Sequence, residues 1–285
     1  MRKSTALLVV IFGVRIEIQF DDPSIVGRIA SCLPSGWSLC GPTSIDRIYR
    51  FSWTDPHRIT SSLSTASASG ASGWRLFADG ALVAQSGDLD ALCERFQADL
   101  ELFVAIHART RVIVHAGVVG WQGRAIVIPG RSFSGKTTLV AALIRLGAEY
   151  YSDEYAVFDP QGFVWPFPKP LSIRMGSGAR EARPAEDAGG VVGRKPIRVG
   201  WILLTEYRPA EVWEPRDLTN GQAILALLSN AAAARYQPGF LLTTFRVAVR
   251  GSVALQGARG DATAFAHHLL TDSLAVESRT ADLLV

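Results

Sequence analysis

Between residues 124 and 147 the spacing of apolar positions changes from that of a strand to that of a helix. The run 125–128 is apolar and mostly β-branched and stops at Pro129, which predicts a buried strand. From Lys136 onward, leucine, valine and isoleucine recur at helical spacing, and Gly147 follows as a typical helix end. The pattern therefore predicts a strand, a glycine-rich turn and a helix.

The rest of the pattern predicts two domains. Residues 1–106 combine alternating runs, an Asp-Gly hairpin signal at 79–80 and a helical pattern over 88–107. They predict a small α+β domain that serves docking or oligomer contacts. Residues 107–285 continue as an α/β domain. Its further predicted elements are a core strand at 199–205, a helix at 218–235, one or two strands at 241–255 and a terminal helix at 261–274.

The turn between strand and helix matches the phosphate-binding pattern G-x-x-x-x-G-K-[ST] over residues 130–137. Its glycines let the backbone wrap around a ligand, so that N–H groups of the turn and of the helix N-terminus point at an anion. Lys136 would reach the β- and γ-phosphates, and the Thr137 hydroxyl would ligate Mg²⁺. A glycine-bearing turn with a solvated lysine is the alternative. The predicted nucleotide contacts are Gly130, Ser132, Ser134, Gly135, Lys136, Thr137 and Thr138.

Two adjacent acids, Asp153 and Glu154, interrupt the apolar and aromatic run 149–158 near its middle. Carboxylates inside a buried strand are costly unless a cation or a substrate proton compensates them. In a parallel strand beside strand 125–128, both would lie close to the γ-phosphate. One would then accept a hydroxyl proton while the other holds Mg²⁺ directly or through water. The alternative is an edge strand whose acids face solvent.

A histidine, His115, lies in the apolar run 111–119 just before the turn. A lone histidine in such a strand is more often a hydrogen-bonded core residue than a catalytic one, and both alternatives stay open on the pattern alone.

The segment 111–174 resembles the catalytic domain of HPr kinase/phosphorylase and the wider HPr-kinase-related families, which include kinases encoded with lasso-peptide precursors. The shared features are a strand with His115-Ala116-Gly117, the phosphate-binding turn, a helix ending in Arg145-Leu146-Gly147, and the sequence Ser152-Asp153-Glu154. The resemblance implies an α/β fold of the HPr-kinase/PEP-carboxykinase-like P-loop type, with a small N-terminal α+β domain in front of it.

The resemblance also implies roles for single residues. Asp153 matches the general base that acts on the acceptor serine, Glu154 matches an acid that supports the metal, and His115 matches a histidine near the transferred phosphoryl group. The stretch 165–174 is similar to a proline-rich segment of the related families, and Arg174 at its end would stabilise phosphoryl charge; a surface arginine is the alternative. Ser172 stands where the bifunctional enzymes carry a glutamate, so this chain departs from them in the residue tied to phosphorylase activity.

Composition and charge exclude several classes of function. The chain has 285 residues, 48% hydrophobic and 19% charged, which suffices for one large core or two modest ones. A formal net charge of +3 gives no support for nucleic-acid or membrane binding. Three cysteines without a C-x-x-C pair fit a reducing cytosol. Residues 5–20 predict a strand, with a targeting segment as the alternative, and no apolar run reaches the roughly 18 residues of a membrane span. We therefore expect a cytoplasmic protein.

These features favour an ATP- and Mg²⁺-dependent kinase that phosphorylates a serine hydroxyl. The resemblance implies a peptide or protein acceptor, for example a lasso-peptide precursor, and a homo-oligomer. One alternative is a kinase for a small molecule such as free serine or a sugar. The other is a nucleotide-binding regulator or ATPase, for which 203–206 is the nearest candidate for an apolar strand followed by a water-positioning glutamate.

Overall fold

The chain divides into two units between Arg109 and Thr110. The computed structural model describes residues 5–54, 72–130, 134–174 and 180–273. Ser132, one of the predicted nucleotide contacts, lies outside these described residues. Within them, no helix is long and apolar enough to span a bilayer.

The described residues of the first unit form six strands and two α-helices. They are β1 (Thr5–Ile11), β2 (Val14–Phe20), α1 (Val26–Ala30), β3 (Trp37–Leu39), β4 (Arg47–Thr54), β5 (Gly73–Ala78), β6 (Ala81–Ser86) and α2 (Leu89–His107). The strands form one sheet in the order β3-β1-β2-β4-β5-β6, in which β2 and β4 run parallel and the other neighbours antiparallel. Tyr49 and Phe51 of β4 pack edge-on against Phe96 of α2, so α2 covers the buried face of the sheet.

Two tight hairpins shape this unit. The predicted single strand at 5–20 is wrong, because β1 and β2 are separated by a turn at Phe12 and Gly13, whose φ angles are 50° and 86°. The predicted hairpin at Asp79-Gly80 is confirmed, with φ angles of 50° and 83° between β5 and β6. The turn at Phe12-Gly13 could not be predicted, because asparagine or aspartate, and not phenylalanine, usually occupies its first position.

In the part of the second unit that the structure describes, there are an eight-stranded sheet, a two-stranded sheet and four α-helices. Its strands are β7 (Val112–Trp121), β8 (Arg124–Pro129), β9 (Glu149–Ser152), β10 (Tyr155–Phe158), β11 (Phe163–Trp165), β12 (Leu171–Arg174), β13 (Arg180–Arg183), β14 (Ile197–Tyr207), β15 (Arg216–Asp217) and β16 (Val253–Arg259). Its α-helices are α3 (Lys136–Arg145), α4 (Asn220–Ser229), α5 (Pro238–Ala248) and α6 (Ala262–His268). The chain thus has a mixed α/β fold.

Three parallel strands, β8, β14 and β16, form the centre of the larger sheet. Strand β7 lies antiparallel to β8 on its other side. The carboxyl ends of parallel strands meet at one edge of a sheet, which is where α/β proteins commonly bind ligands. Strand β8 ends at this edge with Pro129, and α3 begins at Lys136.

Helices cover both faces of this sheet. On one face, α3 and α6 share a buried cluster with the strands. On the other face, α4 and α5 do the same, and Phe245 of α5 packs edge-on against Phe158 of β10. Gly117 of β7 allows α3 to approach closely, because a Cβ atom there would lie 2.8 Å from Cγ2 of Val140.

The predicted strand at 149–158 is two strands, β9 and β10, and both pair antiparallel with β7. The predicted parallel pairing beside β8 is therefore wrong. The physical reason is that β8 has β7 on one side and β14 on the other, which leaves no free edge. Asp153 and Glu154 occupy the break between β9 and β10.

The predicted strands at 241–255 are also wrong over most of that range. Helix α5 covers Pro238–Ala248, and β16 begins at Val253. Proline is well tolerated in the first turn of a helix, and the buried residues of α5 recur at helical spacing. They are Leu241, Thr244, Phe245 and Ala248.

Candidate active site

The turn after β8 brings the chain to the start of α3. Gly135 precedes the helix with a φ of 82°, a left-handed backbone that favours glycine. Gly130 is restricted in another way, because a Cβ atom there would lie 2.9 Å from Oγ of Ser134. The first N–H groups of a helix have no intrahelical partner, so the start of α3 is suited to an anion.

Lys136 is the first residue of α3, and its side chain folds back over the turn. Its Nζ donates a hydrogen bond of 2.7 Å to the carbonyl oxygen of Gly130. The residue is only 7% exposed. Burial lowers its pKa to about 8, against the opposing charges of Asp153 and Glu154. The charges of the two acids therefore only partly offset the effect of burying the ammonium.

Asp153 is the buried acid of the pair and contacts three elements. Thr137 Oγ1, in the first turn of α3, donates to Asp153 Oδ2 at 3.2 Å. The hydroxyl of Tyr150 in β9 shares its one proton between Oδ1, at 3.2 Å, and the carbonyl oxygen of Lys169, at 2.7 Å. The backbone N–H of Ser172 in β12 also bonds the carboxylate. Burial nevertheless raises the pKa of Asp153, because desolvation outweighs these hydrogen bonds. A base with a raised pKa is more readily protonated.

Glu154 is the more exposed acid and is paired with a lysine. Lys169 Nζ lies 2.7 Å from Glu154 Oε2. The same ammonium lies 5.7 Å from the ring centroid of Tyr155. Lys169 is a site residue that sequence reasoning missed, although it lies inside the proline-rich stretch 165–174. Its charge compensates the acid that faces solvent.

His115 lies on β7 directly opposite Tyr155 of β10, with ring centroids 6.2 Å apart. Burial lowers its pKa, as does the charge of Lys136, while Glu154 opposes both. The imidazole is therefore neutral at pH 7. Its backbone carbonyl accepts a hydrogen bond of 3.4 Å from the N–H of Gly130. This strand thus brings the histidine to the beginning of the glycine-rich turn.

Most of the predicted site residues meet at this edge of the sheet. Ser134, Gly135, Lys136 and Thr137 follow one another into α3, and Asp153 contacts Thr137. Thr138 is exposed on the first turn of α3. Arg174 ends β12, two residues after Ser172, and its side chain lies outside what the structure describes.

Tyr150 is a second residue that sequence reasoning missed. It is 1% exposed and has the appearance of a core aromatic in the pattern of β9. Only the hydroxyl at the end of its ring reaches the site. Alternation of apolar and polar residues carries no information about such a polar tip.

The oxygen ligands at this edge fit Mg²⁺. The Thr137 hydroxyl and the carboxylates of Asp153 and Glu154 are hard donors, and nucleotide sites commonly hold Mg²⁺ through one or two carboxylates together with phosphate oxygens. The 3.2 Å contact between Thr137 and Asp153 shows that two such donors converge. Among the described residues no cluster of three or more His, Cys, Asp or Glu side chains could hold a metal by itself.

Among solved structures, the chain is similar to the HPr(Ser) kinase/phosphatase from Coxiella burnetii. The similarity covers 60% of this chain and 95% of that one, with 10% sequence identity and a TM-score of 0.30. No protein-family model and no curated protein matches the chain.

Proposed function

We propose that the protein is an ATP- and Mg²⁺-dependent kinase that transfers the γ-phosphoryl group to a serine hydroxyl of a peptide or protein. One observation carries the proposal: the hydroxyl of Thr137, at the start of the helix that follows the glycine-rich turn, lies 3.2 Å from a buried carboxylate, Asp153. The N-terminus of α3, which is suited to phosphate, thus lies beside Asp153, the candidate base.

The residues of the turn supply the phosphate-binding half of the reaction. The N–H groups at the start of α3 would donate to the β- and γ-phosphates, since the positive end of the helix dipole favours an anion. Lys136 Nζ is already folded over the turn, 2.7 Å from the Gly130 carbonyl. Binding of a phosphate would replace this contact with a charge-assisted one.

Asp153 supplies the acceptor half. Its raised pKa makes it a stronger base than an ordinary aspartate, and hydrogen bonds from Thr137 and Tyr150 keep the carboxylate oriented. It would take the proton of the acceptor hydroxyl as the oxygen attacks the γ-phosphorus. The hydroxyl oxygen forms a bond to the γ-phosphorus. The bond between the γ-phosphorus and the oxygen that bridges it to the β-phosphate breaks, and ADP leaves.

Glu154 and His115 flank this step. Mg²⁺ bound at Thr137 and Glu154 would neutralise charge on the phosphate oxygens. His115, neutral at pH 7, would offer a hydrogen bond to the transferred group without adding a charge beside Lys136. Arg174 is proposed to stabilise the same group from the end of β12. The resemblance to HPr-kinase-related families supports a peptide or protein acceptor.

The test is Asp153→Asn, assayed with radiolabelled ATP against peptide pools, free serine and sugars. We expect phosphoryl transfer to fall by about 10²- to 10⁴-fold while ATP binding persists. Asp159→Asn is the matched control, because Asp159 is also a buried, hydrogen-bonded acid, at the far end of β10. Normal transfer by Asp153→Asn refutes the base assignment.

The choice of acceptor in the same assay separates the alternatives. Labelled peptide supports the proposal, whereas a labelled metabolite indicates a small-molecule kinase. Rapid ATP hydrolysis without any acceptor indicates a nucleotide-binding regulator or ATPase.

A further inference from the structure

A buried arginine at the end of another parallel strand contacts the residue that precedes α3. Arg259 ends β16 and is 2% exposed. Its Nη2 donates a hydrogen bond of 3.0 Å to the carbonyl oxygen of Gly135, the residue before α3. The two residues are 124 positions apart in the sequence, so the motif gives no indication of this contact.

The guanidinium is unusual in its electrostatic surroundings. Its Nη1 donates to the carbonyl oxygen of Gly260, and its Nε is buried with no hydrogen-bond partner among the described residues. Burial lowers its pKa, and the charge of Asp261 is the main opposing effect. That carboxylate accepts hydrogen bonds from the N–H groups of Thr263 and Ala264 at the start of α6. The guanidinium thus donates to the backbone oxygens of Gly135 and Gly260.

Gly135 is also restricted by this arginine. A Cβ atom on Gly135 would lie 2.7 Å from Nη2 of Arg259, and the φ of 82° already disfavours other residues. The carbonyl of Gly135 accepts a second hydrogen bond, of 3.1 Å, from the N–H of Leu139 within α3. The carbonyl oxygen of Gly135 thus accepts two hydrogen bonds, one from Arg259 and one from Leu139.

We propose that Arg259 is a positioning residue of the phosphate-binding turn: it fixes the Gly135 carbonyl, and thereby the direction in which Lys136 and the first N–H groups of α3 point. This inference rests on the proposed nucleotide binding at the turn. Arg259 acts through the backbone of Gly135. Its loss should therefore weaken ATP binding and leave the phosphoryl-transfer step at saturating ATP largely intact.

The experiment compares Arg259→Gln and Arg259→Lys with the unmodified protein in ATP binding and in steady-state kinetics. We expect the Kd and KM for ATP to rise by about tenfold or more, the loss expected for a hydrogen bond to a charged group, with a much smaller change in kcat. Arg208→Gln is the matched control, because Arg208 is an exposed arginine just after β14, paired with Glu206. It should leave KM unchanged.

A rescue experiment separates positioning from general stability. In Arg259→Ala, guanidinium added far below its denaturing range should lower the KM for ATP, whereas the same concentration of sodium chloride should not. A merely structural role would lower the melting temperature and the active fraction together and would leave KM unchanged. Should Arg259→Ala not fold, the Gln and Lys variants still decide the question.

The outcomes distinguish this inference from the proposed function. If the unmodified protein binds ATP and the Gln and Lys variants bind it equally well, the positioning role is refuted and the proposed function stands. If the unmodified protein binds no ATP, both are refuted. A raised KM with a nearly unchanged kcat, reversed by guanidinium, supports the inference.

Discussion

The hydroxyl of Tyr150 lies 3.2 Å from Oδ1 of Asp153 and 2.7 Å from the backbone carbonyl of Lys169. Burial raises the pKa of the phenol well above its usual range, so it remains a neutral donor at physiological pH. The pKa of the candidate base, Asp153, therefore depends on a residue of β9, the strand that precedes it. The donated hydrogen bond favours the ionised carboxylate and lowers the pKa that burial raises.

Tyr150→Phe should shift the pH dependence of the kinase. A base is active only above its pKa, so activity falls as the pH drops through that value. Without the phenol the carboxylate loses a donor, its pKa rises further, and the acidic limb of the kcat/KM profile moves to higher pH. Tyr151→Phe is the control, since its hydroxyl donates to the carbonyl of Lys195 instead. An unmoved acidic limb in Tyr150→Phe would contradict the assignment.

ATP binding should take up a proton above pH 8. Burial lowers the pKa of Lys136 to about 8, so the side chain is charged below that pH and becomes neutral above it. A bound phosphate favours the ammonium and restores the proton. Calorimetry at pH 8.5, in buffers of different ionisation enthalpy, should show this uptake. Lys136→Arg should bind ATP without it, because arginine stays charged; equal uptake in both proteins would exclude Lys136 as its source.

Changes at Glu154 and Lys169 should alter the Mg²⁺ requirement in opposite directions. The 2.7 Å ion pair means that Lys169 competes with any cation for the Glu154 carboxylate. At saturating ATP, we expect Lys169→Met to lower the Mg²⁺ concentration for half-maximal activity and Glu154→Gln to raise it. Titration of activity with MgCl₂ measures both. A change in the same direction would mean that Glu154 does not hold the metal.

Gly117→Ala should destabilise the second unit. The added Cβ would lie 2.8 Å from Cγ2 of Val140, in packing between β7 and α3. Overpacking of this kind costs about 1–3 kcal/mol in the free energy of unfolding, measured by urea denaturation. Val140→Ala in the same chain should recover part of that loss. Gly239→Ala in α5 is the control, because no atom lies within 4 Å of its added Cβ; equal losses in both would exclude the packing explanation.

The sequence allowed accurate prediction of local features that short motifs encode. The strand before Gly130 and the helix from Lys136 are where the pattern predicted them. The acids were predicted to lie near the turn, and the contact between Thr137 and Asp153 agrees with that. The predicted pairing was wrong, because a period-two pattern fixes which face of a strand is buried but not its neighbour or direction.

The errors have physical causes of the same kind. In 241–255, threonine, phenylalanine and valine favour strands, yet Pro238 and the apolar positions before Val249 suit a helix on the sheet. Lys169 and Arg259 could not be predicted, because only the fold brings them near their partners Glu154 and Gly135. Intrinsic propensity and spacing contain no information about such long-range contacts.

Lys169 contacts one of the two neighbouring acids directly and the other through Tyr150. Its ammonium binds Glu154, and its carbonyl receives the hydroxyl that also bonds Asp153. A displacement of this one residue would free the Glu154 carboxylate and leave the Tyr150 proton to Asp153 alone. The two neighbouring acids would thus change in opposite senses, one losing its partner and the other held more tightly.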